Sequence, residues 1–164
     1  MTGEALVPSG QFTQSPKYES FLVDMAKTNQ PVAILLVDDE VNVTRTLQMI
    51  LEQEGYKVIA AYSAAEAMAL FKSGLRPRVV ITDLNMERED IGLEVARVAQ
   101  KLKPRPLVVI CTGYANVQNA GIALDLRVDH LLTKPVAIDE LRSSLERLLS
   151  DRKNNKKQRA VANG

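Results

Sequence analysis

Acidic residues gather in this chain where apolar runs stop. Val32 to Val37 gives way to Asp38, Asp39 and Glu40, and Val79 to Thr82 gives way to Asp83. Two further runs stop at polar residues of other kinds: Leu107 to Cys111 at Thr112, and His130 to Thr133 at Lys134 and Pro135. Three carboxylates brought to one point repel one another, each pair by roughly 4 kcal/mol at 4 Å with an effective dielectric near 20, unless a cation joins them. Hard oxygen donors without histidine or thiolate suit Mg²⁺ or Mn²⁺, and Mg²⁺ normally keeps positions open for water or phosphate oxygens. With Lys134 added, the charges of Asp38, Asp39, Asp83 and a divalent ion cancel. Such a site can receive a phosphoryl group.

These residues share a site only if the chain brings the ends of the runs together. Between Pro31 and Ser150 short β-branched runs alternate with helical periodicity, the pattern of βα units around a parallel sheet. Five strands are predicted: Val32–Val37, Lys57–Ala61, Val79–Thr82, Leu107–Cys111 and His130–Thr133. Two are apolar throughout and Val79–Thr82 is apolar up to its final threonine, as a sheet covered on both faces demands. Val43, Leu47, Ile50 and Leu51 recur at helical spacing and stop at Gly55. Ser63 with Glu66 forms a capping box ahead of the apolar face Ala67, Leu70 and Phe71. A third helix is expected from Ile91 to Lys101, a fourth over about 116–126, and a fifth along the stripe Leu141, Leu145, Leu148 and Leu149. The fold class is α/β: a flavodoxin-like, doubly wound sheet of five parallel strands in the order 2-1-3-4-5, with helices on both faces. In such sheets ligands lie beyond the carboxyl ends of the strands, at the switch point between strands 1 and 3. That is where the polar residues above are placed.

Composition fits this plan and narrows the function classes. The 164 residues, 46% apolar and 25% charged, suit one globular domain. The expected organisation is a leader over 1–30, a body over 31–150 and a flexible basic tail over 151–164. The tail holds five basic residues against one acid, within a total charge of only +1, so the body is mildly acidic. A solvated tail is favoured over a nucleic-acid contact, because no aromatic residue interleaves the charges. One cysteine, Cys111, argues against a disulfide scaffold and a zinc module. Val32 to Val37, the longest apolar run, is far shorter than the ~20 residues of a membrane span, so a cytoplasmic protein without membrane contact is expected.

The four strand-end motifs together resemble the receiver domain of two-component response regulators over about 31–150. They are the acid pair in Val37-Asp38-Asp39-Glu40, the turn Asp83-Leu84-Asn85-Met86, Thr112-Gly113 after an apolar strand, and Lys134-Pro135 before the last helix. The resemblance implies that Asp83 is the phosphoacceptor, taking a phosphoryl group from a sensor histidine kinase or phosphotransfer protein. It implies that Asp39 ligates Mg²⁺ directly, Asp38 directly or through water, and Asn85 through its backbone carbonyl. Thr112 would hydrogen-bond the attached phosphoryl group, Lys134 would pair with it, and the Lys134–Pro135 bond would be cis. The function expected is a stand-alone switch acting on an unidentified downstream protein, not an enzyme with an external substrate.

Taken singly, each motif has a plainer reading: acids at a helix start, a turn aspartate, a threonine cap, a solvated lysine. Four such readings on four predicted strand ends are a less economical account than one shared site. Two departures stand out. Glu87 replaces the proline usual after the Asn-Met pair, and Leu131 stands where an aromatic switch residue is usual. By the same resemblance Tyr114, two beyond Thr112, would partly shield the acyl phosphate from water and, with Asn85, set its lifetime. His130 reads as structural and Cys111 as a small apolar side chain. Two alternatives compete: a Mg²⁺-dependent phosphatase working through an aspartyl phosphate, disfavoured because its Asp-x-Asp pattern is not met, and a receiver-like scaffold whose tail binds nucleic acid.

Overall fold

A computed structural model describes residues 31–113, 121 and 126–162. The leader over 1–30, most of the helix expected over 116–126, Tyr114 and the last two residues lie outside the described residues. Five strands form one sheet: β1 (Ala33–Val37), β2 (Lys57–Ala61), β3 (Val79–Asp83), β4 (Leu107–Thr112) and β5 (His130–Thr133). The order is β2-β1-β3-β4-β5 and every pairing is parallel. The helices are α1 (Val41–Gln53), α2 (Ala64–Lys72), α3 (Ile91–Lys101) and α4 (Ile138–Ala162).

Every residue of β1, β3 and β4 is buried, because helices cover the sheet on both sides. Strand pleat sorts their side chains into two cores. Leu35, Val37, Val80, Val108 and Ile110 pack with Ala67, Phe71, Val95 and Ala96 of α2 and α3. Ile34, Leu36, Ile81, Val109 and Cys111 pack with Leu47 and Leu51 of α1 and with Leu141, Leu145 and Leu149 of α4. Cys111 thus behaves as the apolar residue expected, and burial pushes its thiol up to about 12. No described helix is long and apolar enough to cross a membrane.

Local signals account for most boundaries. Gly55 and Gly74 follow α1 and α2 with φ of +88° and +103°, a conformation glycine enters without a Cβ penalty. At the start of α2, Ser63 Oγ accepts from the Glu66 amide at 3.1 Å while Glu66 Oε2 accepts from the Tyr62 amide at 2.7 Å. The reciprocal cap is therefore present, reaching one residue further back than the usual box.

The carboxyl-terminal helix corrects one expectation. The leucine stripe ends at Leu149, and a flexible tail was expected from 151, yet α4 continues unbroken to Ala162. No glycine or proline interrupts the sequence from Val136 to Asn163, and lysine, arginine, glutamine and alanine all propagate helix well. An apolar stripe reports which turns meet a core; it does not report where a helix stops.

Candidate functional site

The parallel arrangement brings all five carboxyl ends to one edge of the sheet. Asp38 follows β1, Asp83 ends β3, Thr112 ends β4 and Lys134 follows β5. The chain leaves β1 through Asp38, whose backbone carbonyl accepts from Thr44 Oγ1 at 2.9 Å and whose Oδ1 accepts from the Glu40 amide at 2.9 Å. Thr44 is wholly buried in α1, so the helix itself anchors the strand end. Asp83 Oδ1 accepts from the Asn85 amide at 3.3 Å, turning the chain over the site. Asn85 Oδ1 in turn accepts from the Asp90 amide at 2.8 Å. That contact bridges the loop to Asp90, which sits at φ +56° just before α3.

Gly92 allows α3 to pass directly beneath Asp83. A Cβ at this position would lie 1.9 Å from the Asp83 carbonyl oxygen and 2.8 Å from Leu84 Cα. Only a residue without a side chain fits between helix and strand end. The Gly92 amide donates to the Leu84 carbonyl at 2.9 Å, tying the two together.

One carboxylate oxygen each from Asp38, Asp39 and Asp83 lies within 4.8 Å of the others. Asp38 and Asp83 are 3% and 6% exposed, whereas Asp39 faces solvent. Lys134 Nζ donates to Asp38 Oδ2 at 2.8 Å, Asp83 Oδ2 at 3.0 Å and Glu40 Oε1 at 3.2 Å. Its three ammonium protons are thereby matched by three acceptors. The backbone is fixed as well: the Lys134 amide donates to the Thr112 carbonyl at 2.8 Å, and the Lys134–Pro135 bond is cis. Thr112 is fully buried beside this contact.

One lysine does not neutralise the group. Burial raises the Asp83 carboxyl above the usual carboxylate range, Lys134 pulls it back, and Asp38 pushes it up again. Burial also raises Asp39, with Asp38 and then Glu87 adding repulsion. Burial draws the Lys134 ammonium down, but hydrogen bonds to Asp38 and Asp83 outweigh it and hold the lysine above its ordinary range. The site is short of positive charge, and its donors are all hard oxygens. Both properties fit a divalent cation such as Mg²⁺ held by Asp38, Asp39 and Asp83.

The structure thus assembles Asp38, Asp39, Asp83, Thr112 and Lys134 at one edge, with Asn85 at its rim. Glu40 and Glu87 were not among the sequence-derived site residues. Glu40 completes the lysine's contacts, and its place in an acidic run beside Asp39 was the available signal. Glu87 Oε1 accepts from the Ala64 amide at 2.9 Å, capping α2 from another loop. Its replacement of a proline marked the position as unusual without indicating a partner 23 residues away. His130 Nε2 lies 2.9 Å from Ser144 Oγ, so the structural role read from sequence accounts for it. Leu131 packs at the margin of the α2/α3 core, and no aromatic occupies that place.

Comparison with known proteins converges on one family. Residues 34–146 match the family described as the response regulator receiver domain. The transcriptional regulatory protein GlrR of Escherichia coli K12 is 33% identical over 119 residues, 73% of this chain and 26% of its own length. The response regulator MprA of Mycolicibacterium vanbaalenii is 36% identical over 119 residues, 73% of this chain and 51% of its own. The chain therefore spans about a quarter to a half of these curated relatives. Among solved structures, a CheY-like receiver domain protein from Methanospirillum hungatei superposes with a TM-score of 0.71 at 28% identity, covering 77% of this chain and 99% of that one. A receiver domain from Clostridium thermocellum gives 0.67 at 29% identity, covering 74% and 97%.

Proposed function

This chain belongs to the response regulator receiver domain family, and from that premise we propose that it is a phosphorylation switch whose acceptor is Asp83. The observation that carries the reading is a buried aspartate at a strand end, within reach of two further carboxylates and held by a lysine. An Asp83 carboxylate oxygen attacks the phosphorus of a phosphohistidine on a sensor kinase or phosphotransfer protein. An oxygen–phosphorus bond forms, the phosphorus–nitrogen bond breaks, and the electron pair leaves with the imidazole, which takes a proton. Asp38, Asp39, Asp83 and the Asn85 carbonyl would hold Mg²⁺, which supplies the positive charge that lets anionic carboxylate and phosphoryl group approach. Lys134 then exchanges a carboxylate partner for a phosphoryl oxygen, and the Thr112 hydroxyl donates to another.

A donor protein has surface to rest on. A groove of about 680 Å³ between α1 and residues 134–138, lined by Val43, Leu47, Ile50, Pro135 and Val136, opens beside Glu40 and Lys134. In this reading the chain hydrolyses no external substrate and signals to a downstream protein through altered contacts. Incubating the full chain with Mg²⁺ and acetyl phosphate should add one phosphoryl group by intact mass. Asp83→Asn should abolish the adduct, and undiminished labelling of that variant would refute the assignment.

A further inference from the structure

At the end of the sheet opposite Asp83, α4 passes the start of β5 and closes a second cleft of about 410 Å³. Leu107 and Leu148 line it together with Arg105, Arg152, Lys156 and Arg159. Helical spacing explains the cations. Leu141, Leu145 and Leu148 face the sheet, and the same steps of four and three lead on to Arg152, Asn155 and Arg159. Once the helix outruns the core, its inward stripe changes from leucine to arginine and asparagine.

The cleft has more positive than negative charge. Asp129 is occupied: its carboxylate accepts from Arg105 Nη1 at 3.4 Å, from Arg105 Nη2 at 3.1 Å and from the Val108 amide at 2.8 Å. Asp151 is exposed at the rim. Arg152, Lys156 and Arg159 have no ion pair among the described residues. Arg152 is only half-exposed. Burial lowers its guanidinium from the ordinary range; Asp129 opposes this, while Arg105 and Arg78 add repulsion. A partly desolvated guanidinium crowded by others is relieved by a bound anion, and arginine presents paired donors to phosphate. The volume lies within the roughly 300–1,000 Å³ of small-molecule sites. Arg105 and Arg152 are half-buried beside Leu107 and Leu148, Lys156 and Arg159 are exposed, and no aromatic residue lines the cleft for base stacking. Those features favour a compact ligand over a nucleic-acid strand.

We propose that this cleft binds a small, soluble anion bearing two or more phosphate groups, gripped by Arg152 and Arg159 with Lys156 as a further charge. The inference is independent of the chemistry at Asp83. Calorimetric titration of the full chain with inorganic triphosphate, in magnesium-free buffer at about 50 mM salt where charge contacts are only moderately screened, should show one saturable site. Arg152→Gln and Arg159→Gln should each weaken it about tenfold, the loss expected of a charge-assisted contact. Lys157→Gln, exposed and outside the cleft, should change it less than about twofold. Amide resonances of Val108 and Asp129 should move on titration while those of Glu40 and Asn85 stay, which also shows that each variant is folded. Absence of saturable binding, equal weakening by Lys157→Gln, or shifts confined to Glu40 and Asn85 would overturn the proposal. So would binding of a single-stranded oligonucleotide without binding of triphosphate.

Discussion

Strand β5 connects two ends of opposite charge and supplies a counter-ion to each. Asp129 precedes it among arginines, and Lys134 follows it among carboxylates. The two side chains are equally shielded, each 18% exposed, but their partners are not. Lys134 meets Asp38 and Asp83 side chains only 5% and 7% exposed, whereas Asp129 meets an Arg105 that is 37% exposed. A charge whose partner can turn into water is replaceable; one whose partners are sealed is not. The acidic end is therefore rigid and strongly coupled, and the basic end is adaptable.

Removing the counter-ion at each end tests this contrast. Lys134→Met strands two buried carboxylates and should cost about 3–5 kcal/mol of metal-free stability. Urea unfolding with and without MgCl₂ should show part of that loss restored by the metal, and a cost as small as that of a surface pair would break the comparison. Gly92→Ala at the same end forces α3 away from Asp83 and should cost about 2–3 kcal/mol. Magnesium affinity should fall with it, since the helix cannot move without shifting Asp83. Asp129→Asn keeps an acceptor for the Val108 amide and frees Arg105 to solvent, so about 1 kcal/mol is expected by the same unfolding measurement.

The smallest effect has the opposite sign. Because the folded state raises the Asp83 carboxyl above its ordinary range, metal-free stability from this group is present at acid pH and falls as pH climbs past about 4, where the unfolded chain ionises first. Asp83→Asn removes that cost. It should raise the metal-free melting temperature at neutral pH by about 2–4 °C, while abolishing stabilisation by magnesium. Scanning calorimetry at two pH values checks both, and the gain should vanish near pH 3.

The sequence made the sheet legible because each strand is a short β-branched run bounded by a turn or a helix signal. Lys57–Ala61 and His130–Thr133 coincide with the expected strands, and the others differ by one residue where the pairing extends into Asp83 or Thr112 or leaves Val32 out. The grouping of Asp38, Asp83, Thr112 and Lys134 was legible for a further reason: parallel strands all deliver their carboxyl ends to one edge. The partners of Glu87 and Asp129 were not, since each is reached across a loop by a side-chain orientation that no local period encodes. The continuation of α4 was misread because burial, the quantity periodicity reports, ended before the helix did.

By itself, then, the amino-acid order determined the strands, their succession and the polar residues at the ends of four of them, all of which depend on neighbours within a few positions. Tertiary structure alone decided that Lys134 reaches Glu40 as well as the two buried aspartates, that Gly92 must be bare beneath Asp83, and that α4 folds its arginines over a cleft. Those outcomes depend on distances between segments far apart in the chain, set by how two cores pack against one twisted sheet.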